Sequence, residues 1–274
     1  MAAIPNCKCN NKVSEFTQKT AIVTGGATGI GFASAPLIAE RGAEMCIMGH
    51  DATRVTKACG LLQADHFAGF PLVADVGDPK QMAAAFKAFD SLGLTLTTLV
   101  CSAGIQPYGT VETMSVEHWD EVININLRGA FLAGKHAVPR MRAGGGGAIV
   151  HVSSVQGSAT QNRVAACSTP KGELLSLTRT MDHAAYDIRV NTVSPGCIDA
   201  PMTRFAADQT ASPGGEQALI DSCGKAQPIG RVGRSEKVAE VIAPLASDRA
   251  SFCTITEFRV DGGLLAKLGI ILPS

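Results

Sequence analysis

The chain has 274 residues, 46% of them hydrophobic and 18% charged, enough apolar surface for one large domain and too little charge for wholesale disorder. Lysines and arginines number 24 and aspartates and glutamates also 24, so the formal net charge is zero. With no basic tail or block of like charge, nucleic acid and membrane surfaces are not expected as partners, and weak self-repulsion is compatible with subunit association.

Residues 1–18 read as a polar N-terminal extension without the apolar core of a signal peptide. No apolar run approaches the ~18–20 residues of a membrane span, and a cytoplasmic location is expected. The nine cysteines are Cys7, Cys9, Cys46, Cys59, Cys101, Cys167, Cys197, Cys223 and Cys253. An odd number, several of them inside apolar runs, suits reduced buried thiols better than a disulfide framework. Cys7 and Cys9 are the only close pair, and no further ligands stand nearby, so no metal site is expected.

Residues 19–274 read as one domain. Thr20–Thr24 is a fully apolar strand, followed by a helix from about Gly29 to Glu40. Strands are expected at Glu44–Met48 and Phe70–Ala74, each leading into a helical segment, the second of these at about Pro79–Ala88. A fourth strand, Thr97–Val100, precedes one long helix over roughly Glu117–Met141. The run Gly144–Gly147 breaks that helix and opens a fifth strand, Ala148–Val152. A helix over about Val164–Ala184 and a sixth strand at Ile188–Val193 follow. Strands that are apolar on both faces and alternate with helices predict a doubly wound α/β fold, a parallel sheet of Rossmann type with helices on both sides. Residues 200–227 lack strand character and read as a flexible substrate segment over the sheet's carboxyl edge, where ligands of such folds bind.

The first strand ends in Thr24-Gly25-Gly26-Ala27-Thr28-Gly29-Ile30-Gly31 and passes straight into a helix. Glycines at 25, 29 and 31 permit a tight turn and a close backbone approach, and the helix N-terminus offers free N–H groups and a positive dipole end to a pyrophosphate. This T-G-x3-G-x-G spacing resembles the short-chain dehydrogenase/reductase family. Further landmarks of that family follow in order. They are Asp75-Val76, the Ala103-Gly104 of Cys101-Ser102-Ala103-Gly104, Asn126, Ser153-Ser154, the stretch Arg189 to Gly196, and Asp261-Gly262-Gly263. The resemblance covers about residues 15–263.

The resemblance implies an NAD(P)-dependent oxidoreductase that moves a hydride between the nicotinamide and a small carbonyl or alcohol substrate. Carried over position by position, the cofactor would meet Gly25, Thr28, Gly29, Ile30, Gly31, His50, Asp75, Val76, Ala103, Gly104, Lys171, Pro195, Gly196 and Ile198. NAD-preferring members end the second strand in an acid, but here that position is Gly49. Losing the acid removes a repulsion against a 2′-phosphate, and His50 or Arg54 offers partial positive charge, so NADP is favoured and NAD is the alternative. The family also implies a homodimer or homotetramer. The apolar tail Leu264–Leu272 suits burial on its own subunit or between subunits.

In this family a serine polarises the carbonyl and a tyrosine transfers the proton. A lysine four residues after the tyrosine holds the nicotinamide ribose, and an asparagine supports a water relay. By spacing these are Ser154, Lys171 and Asn126, but the tyrosine position is Cys167. A cysteine sulfur falls several ångströms short of a phenol oxygen, and a lost acid–base group costs about 10²–10⁴ in rate. Cys167 lies one helical turn from Lys171, whose ammonium is expected to favour the thiolate. Three readings follow: a slow oxidoreductase, a catalytically silent dinucleotide-binding sensor or assembly protein, and a non-redox enzyme with Cys167 as nucleophile. Tyr108, in the loop after the fourth strand, is a candidate replacement acid. Ile105, Gln106, Val155, Gln156, Cys197 and Met202 are expected to border the pocket, whereas His136, His151 and Trp119 read as packing residues. Further departures from the family are Cys101 and Ser102 for two asparagines, Ala200 for a threonine that often bonds the carboxamide, and those that follow. Pro170 lies early in the catalytic helix, that helix is about two residues short at its end, and Ile255 replaces a glycine before the last strand.

Overall fold

Buried apolar residues repeat along the central strands with period two, and that alternation divides the interior into two cores. In the computed structural model, which describes residues 15–181, 183–209 and 214–267, nine strands are formed. They are β1 (Thr20–Thr24), β2 (Glu44–Gly49), β3 (Gly69–Val73), β4 (Leu96–Cys101), β5 (Gly147–Val152), β6 (Ile188–Pro195), β7 (Ile198–Asp199), β8 (Gly233–Arg234) and β9 (Glu257–Val260). Seven of them make one parallel sheet in the order β3-β2-β1-β4-β5-β6-β9, and β7 pairs with β8 beside it. Ala21 and Val23 of β1 and Met45 and Ile47 of β2 point into one core, while Ile22, Cys46 and Met48 point into the other.

The first core is closed by α1 (Gly29–Ala39), α2 (Ala52–Ala64) and α9 (Ser235–Ala246). The second is closed by α3 (Pro79–Asp90), α5 (Gly129–Ala143) and α6 (Ala165–Thr180), with α4 (Val116–Ile123) preceding α5. Strand order reverses between β1 and β4, so the loops leaving them diverge and open a crevice at the carboxyl edge. The expected doubly wound Rossmann-type sheet is therefore present. Among the described residues, no helix is long and apolar enough to cross a membrane, and no group of three or more His, Cys, Asp or Glu is placed to hold a metal. Cys7, Cys9 and the tail residues 268–272 lie outside the described residues.

Two expectations, both on helix bounds, need correction. The single long helix is interrupted: α4 and α5 are joined by a π-helical turn, Asn124–Arg128. Gly129 begins α5 hard against Val76, where an added Cβ would meet Val76 Cγ2 at 2.7 Å. The wider turn lets the chain pass that contact while Asn126 faces inward. Within 200–227 the described residues form α7 (Pro201–Gln209) and α8 (Gly215–Ala226), free of strand as expected, and Arg204 reaches Asp199 at 2.9 Å and Glu216 at 2.6 Å. The helix expected to reach Ala184 stops at Thr180, because Met181 turns off it to pack over Gly134, followed by a 3₁₀ turn at Ala184–Tyr186. Pro170 sits in the second turn of α6, deeper than its missing N–H would suggest.

Helix α9 carries Pro244 in its last turn and is an element for which no expectation was formed from the sequence. Ile255, before β9, is held at φ +59° while its N–H donates to Val190 O at 2.6 Å. A β-branched residue in the left-handed region costs about 1–2 kcal/mol. Ile255→Gly should therefore raise Tm by about 2–4 °C in a thermal scan; an unchanged or lower Tm would show that no strain is held there.

Candidate active site

The glycine loop is shaped by contacts that leave no room for side chains. Gly25 sits at φ +63°, and a Cβ on it would lie 2.7 Å from the Ala103 backbone; one on Gly31 would lie 2.4 Å from Gly25 O. Thr24 Oγ1 accepts from the N–H groups of Ser102 (3.2 Å) and Ala103 (3.4 Å), so the exits of β1 and β4 are tied together. The Thr28 side chain does not cap α1, and the first backbone bond of the helix runs from Phe32 N to Thr28 O at 3.1 Å. The N–H groups of Gly29, Ile30 and Gly31 therefore precede the intrahelical ladder at the dipole's positive end. Beyond Gly29 the nearest side-chain atoms to a hypothetical Cβ are Pro201 Cδ (3.7 Å) and Ala200 Cβ (3.9 Å). This is a cradle that a diphosphate fits.

Along the same edge, His50 is exposed just beyond β2. Asp51 caps α2 by accepting from Arg54 N at 3.0 Å, and it pairs with Arg54 Nε at 3.2 Å. That backbone bond, with Arg54's charge assisting, holds the Asp51 carboxyl below its usual range. Asp75 accepts from Gly77 N at 2.9 Å and builds the turn after β3, while Val76 is buried against Gly129. At the other end, Gly196 N donates to Val260 O at 3.0 Å, and Ile198 is buried behind it.

Gly104, Asn126 and Lys171 converge. A Cβ on Gly104 would stand 3.3 Å from Asn126 Oδ1 and 3.7 Å from Lys171 Nζ. Asn126, 2% exposed, is clamped to the Ile105 backbone, accepting from its N–H at 2.8 Å and donating to its carbonyl at 2.9 Å. Lys171, 7% exposed, donates to Val152 O at 2.8 Å, which uses one of its three donors. Burial pulls the Lys171 pKa down, with Cys167 opposing. Ser153 Oγ donates to Lys171 O at 2.7 Å, fixing α6 to the end of β5. Ser154 Oγ accepts from Gln156 N at 3.2 Å, which leaves its own proton to donate.

Cys167 is 2% exposed, and burial raises its thiol pKa more than Lys171 lowers it. The expected thiolate is thus corrected to a neutral thiol, because desolvation outweighs the nearby ammonium. Tyr108 accepts from Gln106 Nε2 at 2.8 Å. Its hydroxyl is pushed up to about 12, first by burial and then by the fields of Cys167, Cys223 and Cys197. Cys223 joins this group although no spacing in the sequence announces it. His136 does pack, stacking on Phe86 at 5.2 Å.

His151 is more than packing. Its Nδ1 lies 2.8 Å from Thr178 Oγ1, which lies 2.6 Å from Thr192 Oγ1. Burial, with the field of Lys171, lowers its pKa from 6.5 to about 4. The unfolded chain therefore takes up this proton below pH 6.5 while the folded chain refuses it until about pH 4. Stability should fall by about 1.4 kcal/mol per pH unit across that window and should be insensitive to this group above it. Denaturant titrations at pH 4.5 and 6.5 should give a shallower acid slope for His151→Asn than for the parent; equal slopes would refute the assignment.

Comparison with known proteins accords with this geometry. A family model described as enoyl-(acyl carrier protein) reductase matches residues 25–265. The chain is 40% identical over 257 residues to cis-4-hydroxycyclohexanecarboxylate dehydrogenase of Sinomonas cyclohexanicum, covering 92% of this chain and 98% of that protein. It is 36% identical over 228 residues to inactive 2-(S)-hydroxypropyl-CoM dehydrogenase 2 of Xanthobacter autotrophicus, covering 82% and 96% respectively. The crystal structure of a gluconate 5-dehydrogenase from Burkholderia cenocepacia, in complex with NADP and tartrate, superposes with a TM-score of 0.86 at 28% identity, covering 94% of this chain and 99% of that one. The chain belongs to the short-chain dehydrogenase/reductase family of NAD(P)-dependent enzymes.

Proposed function

We propose that the protein interconverts a secondary alcohol and its ketone on a small molecule, with NADP preferred over NAD and with a slow proton step. One observation carries this reading: the uncapped N-terminus of α1 and the buried Lys171–Asn126–Gly104 cluster lie at the same carboxyl edge of the sheet. A nicotinamide dinucleotide, when bound, supplies the hydride acceptor or donor.

The chain's own residues then divide the work. Gly25, Thr28, Gly29, Ile30 and Gly31 hold the diphosphate, and Asp75 and Val76 frame the adenine. Ala103, Gly104, Pro195, Gly196 and Ile198 line the nicotinamide half. Lys171 has donors left for ribose hydroxyls, and Asn126 keeps Ile105 and the adjoining loop in place. Ser154 directs its hydroxyl proton to the substrate oxygen. Cys167, a neutral buried thiol, occupies the tyrosine's place without reaching the substrate, so water completes the proton transfer. Burial also argues against Cys167 as a nucleophile. With Asp51 engaged at the start of α2, exposed His50 is the first side chain beyond β2 to meet a 2′-phosphate. The relative that acts on a hydroxycyclohexanecarboxylate suggests ring alcohols of that size, and the family suggests a homodimer or homotetramer.

A second reading, a dinucleotide-binding protein without turnover, is favoured by the burial of Cys167 and by the relative designated inactive. Calorimetry with NADP and NAD, followed by nicotinamide absorbance against cyclic ketones and alcohols, separates the two. Binding with slow turnover supports the first reading and binding without turnover the second. Absence of binding would defeat both.

A further inference from the structure

Three cations from three separate elements line one cavity at the β9 end of the sheet. Its volume is about 360 Å³, within the range of sites for small ligands. Arg231 comes from the loop between α8 and β8, Lys237 from the first turn of α9 and Arg259 from β9. Backbone bonds hold these elements in fixed relation. Ile229 N donates to Gly262 O at 3.1 Å, Gly233 N to Cys197 O at 3.0 Å and Gly196 N to Val260 O at 3.0 Å. Gln227, itself 2% exposed, donates to Arg231 O at 2.9 Å and anchors that loop from within. The charges around the cavity are poorly balanced. Among the described residues Arg231 makes no ion pair, and its guanidinium donates to Val232 O at 3.3 Å. Arg259 Nε stands 3.8 Å from Glu257 of its own strand, and Lys237 Nζ lies 2.8 Å from Glu240 of its own helix. Asp261 is the one carboxylate among the lining residues, and both of its oxygens are engaged, accepting from Gly263 N at 2.9 Å and Leu265 N at 3.0 Å.

We propose that this cavity binds a small phosphate-bearing anion at a site separate from the cradle at α1, with which it shares no lining residue. Like charges gathered on the walls of one cavity repel each other, and the walls focus their field inward, so an anion entering there relieves the repulsion and is attracted by all three. A phosphate monoester carries about −1.5 to −2 charges at pH 7 and three strong acceptor oxygens. That charge and oxygen count match three cationic donors better than a single carboxylate does. Arg231 and Arg259 each offer a planar fork that meets two oxygens at once, and Lys237 adds a compact point charge. Asp261, turned to its own backbone amides, shapes the floor without occupying the cations.

The site needs neither turnover nor bound dinucleotide, so its test stands apart from the proposed function. Inorganic phosphate is the probe, titrated by calorimetry into the full chain while sodium chloride keeps the ionic strength constant, so that general screening does not change. Phosphate should bind and raise Tm, whereas acetate at the same ionic strength should do neither. Arg231→Gln and Arg259→Gln should each weaken phosphate binding by about tenfold or more. Lys57→Gln, which removes an exposed cation of α2, should leave it unchanged. In phosphate-free buffer of low salt, either arginine substitution should leave Tm the same or raise it, because repulsion within the cavity is relieved. A lower Tm there would assign the arginines to the fold and overturn the site. So would the absence of heat with phosphate, or an acetate response equal to the phosphate one. Binding that survives both arginine substitutions would place the anion in the α1 cradle, and the proposal would again be overturned.

Discussion

Replacing Cys167 by tyrosine is expected to raise turnover of a ketone by about a hundredfold or more, leaving dinucleotide affinity within a few-fold of the parent. Positioned acid–base help contributes about 10²–10⁴ in rate, or ~3–5 kcal/mol of barrier. On the proposed reading the parent has Ser154, Lys171 and Asn126 for the reaction, and Cys167 is too short to replace a tyrosine beside them. The Lys171 ammonium, close enough to act on the Cys167 thiol, would lower the pKa of a phenol introduced there. Absorbance assays on the parent, Cys167→Tyr and Cys167→Ser read the outcome. A slow parent that accelerates as tyrosine and is unchanged as serine supports a neutral, non-participating thiol. A parent whose activity vanishes as serine would make the thiol catalytic. Activity found only in the tyrosine variant would establish the natural protein as silent.

The second large effect concerns the cradle. Gly31→Ala should weaken dinucleotide binding by at least a hundredfold, about 3 kcal/mol. The added methyl would stand 2.4 Å from Gly25 O and 2.9 Å from Gly25 C. Both are backbone atoms, so no side-chain rotation relieves the overlap. The loop would have to swing away from α1, separating the turn from the amides it presents. Overpacking of this kind also costs about 1–3 kcal/mol of stability. The control is Gly60→Ala in the middle of α2, where nothing lies within 4 Å of the new carbon. It should leave binding intact and stabilise by about 0.5–1 kcal/mol. Calorimetry and thermal scans on both variants give the comparison; normal affinity in Gly31→Ala would remove the loop from the binding site.

The sheet was legible because its signal is local and redundant. Strands buried on both faces are continuous apolar runs, and β1 and β5 stand within a residue of their expected bounds. The glycine loop was legible because its conformations exclude other residues, as φ +63° at Gly25 and +55° at Gly29 illustrate. Helix interruptions were less so, since what decides them is remote in sequence: Val76 against Gly129 for the π turn, Gly134 beneath Met181 for the end of α6. The charge state of Cys167 was misread for a related reason. Sequence spacing reveals the lysine one turn away, but only the packed structure reveals how little water reaches the sulfur.

The widened turn at Asn124–Arg128 also constrains how this helix tolerates insertion and deletion. Each α-helical residue advances the screw by about 100°. Removing a single residue there would restore a regular helix, yet it would carry everything on one side through that angle. Asn126 would then leave the Ile105 backbone, or the apolar face of α5 would leave the sheet. The one surplus residue works as a phase adjuster between two helical surfaces with different duties, so the length of this segment is fixed more tightly than its composition.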